Sequence, residues 1–452
     1  MRTKAGQRRG VRPTTFAAPV AASICLVLGL AACSDPETPP SSSSSSSAAT
    51  TTTQQGSSTP TVDREEALAT LLERRAAAVR ARDEAAFRAT LDDPTSGFGL
   101  RQLAQFQALG KLPIGTFRYG TPEPAPELSV ERTAQLGPQA WVSRVAGRYS
   151  FAGFDTGTRE FESYFTVVRR SDGWKLADDT DGGTQVQVWD LPRLTVSRSA
   201  TTLVIGSGPA SRLRPYLALG DRAVTAVREV WTAPWRARLV LVVPATATQM
   251  AEQVGQDPAG VAQVAAVTDG PFDTAGRAGA DRVVVNPEAF ATLEQTGKQV
   301  VVSHEATHVA IRATTTKQVP LWLSEGMADY VGYRDVDATR QRIAAALLQQ
   351  VRDGSGPTAL PGAGDFDPGR STIAPSYNAA WLAVCRIVDR RGQASLVRFY
   401  LAAATAPGSP GSAGTGADAD AVTAAAFGTV LKTTEAAFTR EWLAYLRRLA
   451  AS

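Results

Sequence analysis

Apolar positions along this chain follow three regimes: an unbroken apolar run near the start, a helical and then alternating stretch, and a mosaic of short β-rich runs between helical patterns. From residue 63 onward, Leu68, Leu71, Leu72 and Val79 recur at helical spacing, with Asp63 and Glu66 as an N-cap and N3 pair ahead of them. Asp83 is placed to cap a second short helix through Phe87 and Leu91. After a middle punctuated by Gly and Pro come three strand-like runs, Trp141 to Phe151, Phe161 to Arg170 and Trp174 to Leu176. The last two are joined by Ser171-Asp172-Gly173, a hairpin signal. Helices followed by antiparallel strands predict an α+β unit over residues 63–190.

A second unit is expected over residues 195–452, opening near Leu194. Thr202 to Ile205, Leu239 to Val243, Val264 to Val267 and Arg282 to Val285 read as short strands alternating with helical patterns such as Pro215 to Trp231. This predicts a small mixed sheet backed by helices, again α+β. The run Arg282 to Val285 is followed by Asn286-Pro287. Proline cannot donate in a ladder, so the run suits a strand at a sheet edge or one that ends there, and a core strand fits equally well. A helix is expected from about Thr296, and Pro320 suits the first position of the next one, Leu321 to Tyr330.

Charge changes the picture at the amino terminus. Residues 1–32 carry Arg2, Lys4, Arg8, Arg9 and Arg12 without an acid, then an apolar run from Phe16 to Ala32, the layout of a secretory signal. Removing those five from the 47 lysines and arginines leaves 42 against 43 acids, a formal charge of −1 rather than +4. That removes any argument for nucleic-acid binding. The run ends Leu30-Ala31-Ala32-Cys33, which resembles a bacterial lipobox and implies a lipid on Cys33. An ordinary cleaved signal and an uncleaved anchor are the alternatives. Residues 33–62 are rich in Ser, Thr and Pro, with seven consecutive serines at 41–47, and predict a disordered tether. The expected location is the extracytoplasmic face of the cell membrane, held by the lipid anchor. Cys25 leaves with the signal and Cys33 carries the lipid, so Cys385 is the one free thiol expected in the mature chain and reads as a small core residue.

The candidate chemistry lies in Ser303-His304-Glu305-Ala306-Thr307-His308, which holds both histidines of the 452-residue chain. Four residues apart on a helix, His304 and His308 project from one face and can share a metal ion, while Glu305 can aim a carboxylate at a water on it. Two histidines do not complete a catalytic zinc site, which needs three protein ligands and an open position. Glu325, with sixteen residues between it and His308, lies on the next predicted helix, which can turn back to the metal. Asp329, four residues further on the same face, is placed to accept the remaining ring N–H of a ligating histidine. The first unit offers no comparable constellation, and binding or spacing is its expected role.

His304-Glu305-x-x-His308 followed by Trp322-Leu323-x-Glu325-Gly326-x-Ala328-Asp329-Tyr330 resembles the gluzincin metallopeptidases, in particular the peptidase MA-like group of bacterial proteins. The helix-then-sheet pattern of residues 63–190 is similar to the NTF2-like cone fold. The resemblance implies Zn²⁺ held by His304, His308 and Glu325, Glu305 as general base, Asp329 orienting a ligand, and an edge-type strand before the motif; were Arg282 to Val285 that edge, an extended peptide substrate would pair with it. Tyr377 is the candidate donor to the oxyanion, against the alternative of a tyrosine packed at a helix start. Trp322 and Trp381 read as core aromatics. The aminopeptidase signature Gly-x-Met-Glu-Asn is absent, and no third histidine exists for a metzincin-type site. The expected function is a membrane-anchored zinc peptidase acting on a peptide or protein substrate in the cell envelope. The alternatives are a catalytically silent scaffold of the same fold and a hydrolase of non-peptide amides.

Overall fold

The computed structural model describes residues 61–367, 373–404 and 416–452. The signal, Cys33 and the tether up to residue 60 lie outside the described residues. None of the described helices is long and apolar enough to cross a membrane.

The first unit runs α1 (Thr61–Ala81), α2 (Glu84–Arg88), α3 (Gly97–Lys111), β1 (Ile114–Pro124), α4 (Val130–Leu136), β2 (Trp141–Phe151), β3 (Arg159–Arg170) and β4 (Gly173–Asp178). The four strands form an antiparallel meander in chain order. Helix α1 begins two residues before the expected cap, so Asp63 falls inside it: apolar spacing locates a helix better than it locates its first turn. Asp83 does cap α2, accepting from Ala86 N at 2.9 Å. Alternation in β2 sends Val145, Gly147, Tyr149 and Phe151 inward. Gly147 is required there, because a Cβ would lie 2.1 Å from the Phe161 ring.

The second unit holds β5 (Leu194–Arg198), β6 (Thr202–Ser207), α5 (Ala210–Val230), β7 (Leu239–Val243), α6 (Ala247–Val254), α7 (Pro258–Val261), β8 (Ala266–Asp269) and β9 (Arg282–Val285). These are followed by α8 (Pro287–Ala291), α9 (Gln295–Thr314), α10 (Leu321–Gly332), α11 (Arg340–Ile343), α12 (Ala345–Arg352), α13 (Ala374–Arg391), α14 (Gln393–Ala404), α15 (Gly416–Ala426) and α16 (Glu435–Ala451). The sheet order is β5-β6-β7-β9-β8, with β6, β7 and β9 parallel and both outer strands antiparallel to their neighbours. The molecule is therefore of mixed α+β class.

That order corrects the edge reading of Arg282 to Val285. β9 is paired on both sides and fully buried, and the edge is β8. The proline marks the strand's end instead: Asn286 caps α8, accepting from Glu288 N and Ala289 N, with Pro287 in the first turn. Pro320, likewise, is the N-cap of α10 rather than its first residue.

One face of this sheet, through Val204, Leu241, Val243, Val283 and Val285, packs with α5 and α9. The opposite face, through Leu203, Ile205, Val242, Val267 and Val284, meets α6 and α7 and is continuous with the core of the first unit. The two units are also joined by charge. Arg282 donates twice to Asp155 at 2.7 Å, with both side chains almost wholly buried, and Arg159 meets Asp269 at 2.5 Å.

Candidate metal centre

Helix α9 is buried over Val300 to His308, so its histidines face protein rather than solvent. Helix α10 packs against both α9 and α13, and Gly326 makes the second contact possible, since a Cβ there would stand 2.5 Å from Ala380 O. The glycine after Glu325 thus lets α10 sit close enough to α13 to present Glu325 beside α9.

His304 Nε2 and His308 Nε2 lie 3.1 Å apart, and Glu325 Oε2 is 3.2 Å from the first and 3.6 Å from the second. These three buried residues form the one group of this kind among the described residues that could hold a metal ion. His304 Nδ1 is 2.9 Å from Asp329 Oδ1, so this ring nitrogen carries the proton and donates it to the carboxylate. Its Nε2 is then left with a lone pair, facing a second imidazole nitrogen and a carboxylate oxygen. Such a centre requires a positive charge, whether proton or metal.

The titration of the cluster expresses that requirement. Burial alone would lower the pKa of His304, but Asp329 and Glu325 outweigh it and hold the group well above the ordinary histidine value. Burial would raise Glu325, yet His308 and His304 bring it down to about 2. Burial raises Glu305 and Asp329.

All four residues of the expected constellation, His304, His308, Glu325 and Asp329, are thus brought together, with Glu305 beside them. Tyr377 stands in the first turn of α13, buried, its ring centroid 6.3 Å from that of His304 and 5.2 Å from Phe366. Both readings of it, as a donor near the metal and as a ring packed at a helix start, fit this place. Trp322 and Trp381 are buried in the core, and so is Cys385, whose thiol burial pushes up to about 12.

Sequence reasoning missed Thr268. From edge strand β8 its hydroxyl lies 2.7 Å from Glu305 Oε2 and 3.1 Å from the Glu305 carbonyl, and the donor hydrogen goes to the carboxylate at the shorter distance. The other carboxylate oxygen, Oε1, is buried with no hydrogen-bond partner among the described residues. One oxygen of the residue is held and the other is left open.

No protein-family model matches the chain, and no curated protein matches it at a significant level.

Proposed function

We propose that the protein is a zinc-dependent peptidase of gluzincin type, carried on an NTF2-like unit and tethered through Cys33 to the extracytoplasmic face of the cell membrane. The observation that carries the reading is the convergence of His304 Nε2, His308 Nε2 and Glu325 Oε2 beside an unbonded oxygen of Glu305. Zinc bonds of about 2.0–2.2 Å in a tetrahedron separate ligand atoms by about 3.3–3.6 Å. The observed separations of 3.1, 3.2 and 3.6 Å lie within about 0.2 Å of that range and are compatible with that metal. Calcium and magnesium favour sites built of oxygen. Two histidines and a carboxylate also suit ferrous iron, and Glu305 is what favours hydrolysis, because iron oxygenation uses no such base.

When bound, zinc supplies Lewis acidity toward a carbonyl and a water with a pKa near about 7. The chain supplies the rest. Glu305 Oε1 takes the proton of the attacking water and returns it to the leaving amine, while Thr268 keeps Oε2 in place. Asp329 holds the proton on His304 Nδ1 and so keeps Nε2 available as a ligand. Tyr377 is the proposed donor to the oxyanion. The edge of β8, whose Thr268 touches the base, is where an extended peptide would pair; the expectation for β9 moves to this strand.

The test is metal analysis of the purified protein together with cleavage of a peptide library by wild type and by Glu305→Gln. One zinc per chain and cleavage that falls by on the order of 10²–10⁴ in the variant are expected. Stoichiometric zinc without cleavage by either form would favour a silent scaffold.

A further inference from the structure

A cavity of about 250 Å³ opens where the two units meet, lined by Arg159 and Glu160 from β3, by Asp269 to Phe272 and by Arg312. Its position ties it to the metal centre in two ways. Arg312 is four residues beyond His308 on α9, hence one turn further along the face that carries the ligands. Gly270 is two residues past Thr268, about 6.6 Å along an extended chain from the residue that holds Glu305. A peptide lying on the β8 edge with its reacting bond at Glu305 would direct a nearby side chain into this cavity.

The lining selects for that side chain. Arg159 is paired with Asp269 at 2.5 Å, and Arg312 with Asp281 at 3.0 Å and with the Gly270 carbonyl at 2.6 Å. Glu160 is paired with Arg148 at 2.7 Å. The arginines of the lining already have carboxylate partners, so an acid entering the cavity would compete with Asp269 and Asp281, and a cation would compete with Arg148 for the exposed Glu160. Phe272, in contrast, is 43% exposed, and the Arg312 guanidinium carbon lies 4.2 Å from its ring centroid. An uncharged flat ring can stack on Phe272 without breaking any ion pair. Space is sufficient, since a cavity of about 150 Å³ takes benzene.

We infer that this cavity is a subsite for an aromatic side chain of the peptide, and that the amino-terminal unit, through Arg159 and Glu160, forms one of its walls. The inference rests on the peptidase reading for the path of the peptide, so it is tested by binding alone. Calorimetry would use the zinc-loaded Glu305→Gln protein and blocked alanine hexapeptides carrying a single Phe, Asp or Lys at each position in turn. Phe at one position is expected to tighten binding about tenfold over the all-alanine peptide, with Asp and Lys giving no such gain. In protein that also carries Phe272→Ala, an exposed position whose loss leaves the core intact, the gain should disappear. Equal affinity of Phe and alanine peptides, a larger gain from Asp or Lys, or a Phe gain that survives Phe272→Ala would each overturn the subsite. Failure of wild type to cleave any peptide would instead count against the peptidase reading.

Discussion

Each unit of this protein buries a charged cluster, and the two are built on opposite rules. In the first, Arg75 on α1 is 0% exposed. Its guanidinium donates to Thr90 Oγ1 at 3.1 Å, to Gln102 Oε1 and to the Tyr119 hydroxyl at 3.4 Å, and it lies 3.8 Å above the Phe87 ring. Gln102 passes the polarity on to Asp179 at 2.8 Å. Burial pulls the Arg75 pKa down, with Tyr119 and Asp179 opposing it. Each guanidinium nitrogen of Arg75 donates to an acceptor that the fold itself supplies. In the second cluster, His304, His308 and Glu325 turn acceptors toward acceptors, and the balance closes only with a cation. Burial is common to both; the mismatch of donors and acceptors is what marks a site.

The largest effect that would break this contrast is on metal affinity. Glu325→Ala removes one of three ligands and should weaken zinc binding by on the order of 1,000-fold or more, measured by competition with a chelator. Unchanged affinity would take Glu325 out of the ligand set. The same cluster sets the pH dependence. In metal-free protein the His304 pKa is raised, so its proton stabilises the fold below the unfolded value of about 6.5 and is lost as pH rises through the folded value. Glu325, brought down to about 2, stays ionised through this window. Zinc has to displace the His304 proton, so the rise in Tm on adding zinc should grow from about pH 6 to about pH 8. A rise that shrinks over that interval would contradict the ligand role of His304.

Next in size is Arg75→Ala, which strands three acceptors and leaves a hole. We expect a loss of about 3–4 kcal/mol in denaturant unfolding with no change in zinc affinity. Arg75→Met, which fills the volume, should cost less. A drop in zinc affinity on either change would show that the two clusters are coupled and the contrast false.

How much of this was legible in the sequence follows from which facts are local. His304, Glu305 and His308 lie within one helical turn, and Glu325 and Asp329 within another, so periodicity alone brought each set onto one face. The strands β2, β3 and β4 were readable by alternation and by the two-residue turn between Arg170 and Gly173. Helix α3 and strand β1 were not. β1 reads Ile-Gly-Thr-Phe-Arg-Tyr-Gly-Thr-Pro-Glu-Pro, and its register slips twice against β2, so neither composition nor alternation announces it. Nor could an apolar run say whether β9 was an edge, because that depends on which strand pairs beyond it.

Thr268 was the least legible residue of all, for it carries no signal until the fold brings it to Glu305 from 37 positions away. It also offers the finest test of the asymmetry within the acceptor cluster, where one carboxylate oxygen of Glu305 is held and the other is left open. Thr268→Val keeps the shape and removes the donor. The variant should keep its zinc and KM and lose about tenfold in kcat, because Glu305 can then rotate away from the attacking water. The lost hydrogen bond had favoured the ionised carboxylate against burial, so the Glu305 pKa should rise further. A base must be ionised to act, so the acid limb of the kcat/KM profile should move to higher pH, and Thr268→Ser should restore it. A fall in kcat without movement of that limb would mean that Thr268 only packs the strand against α9.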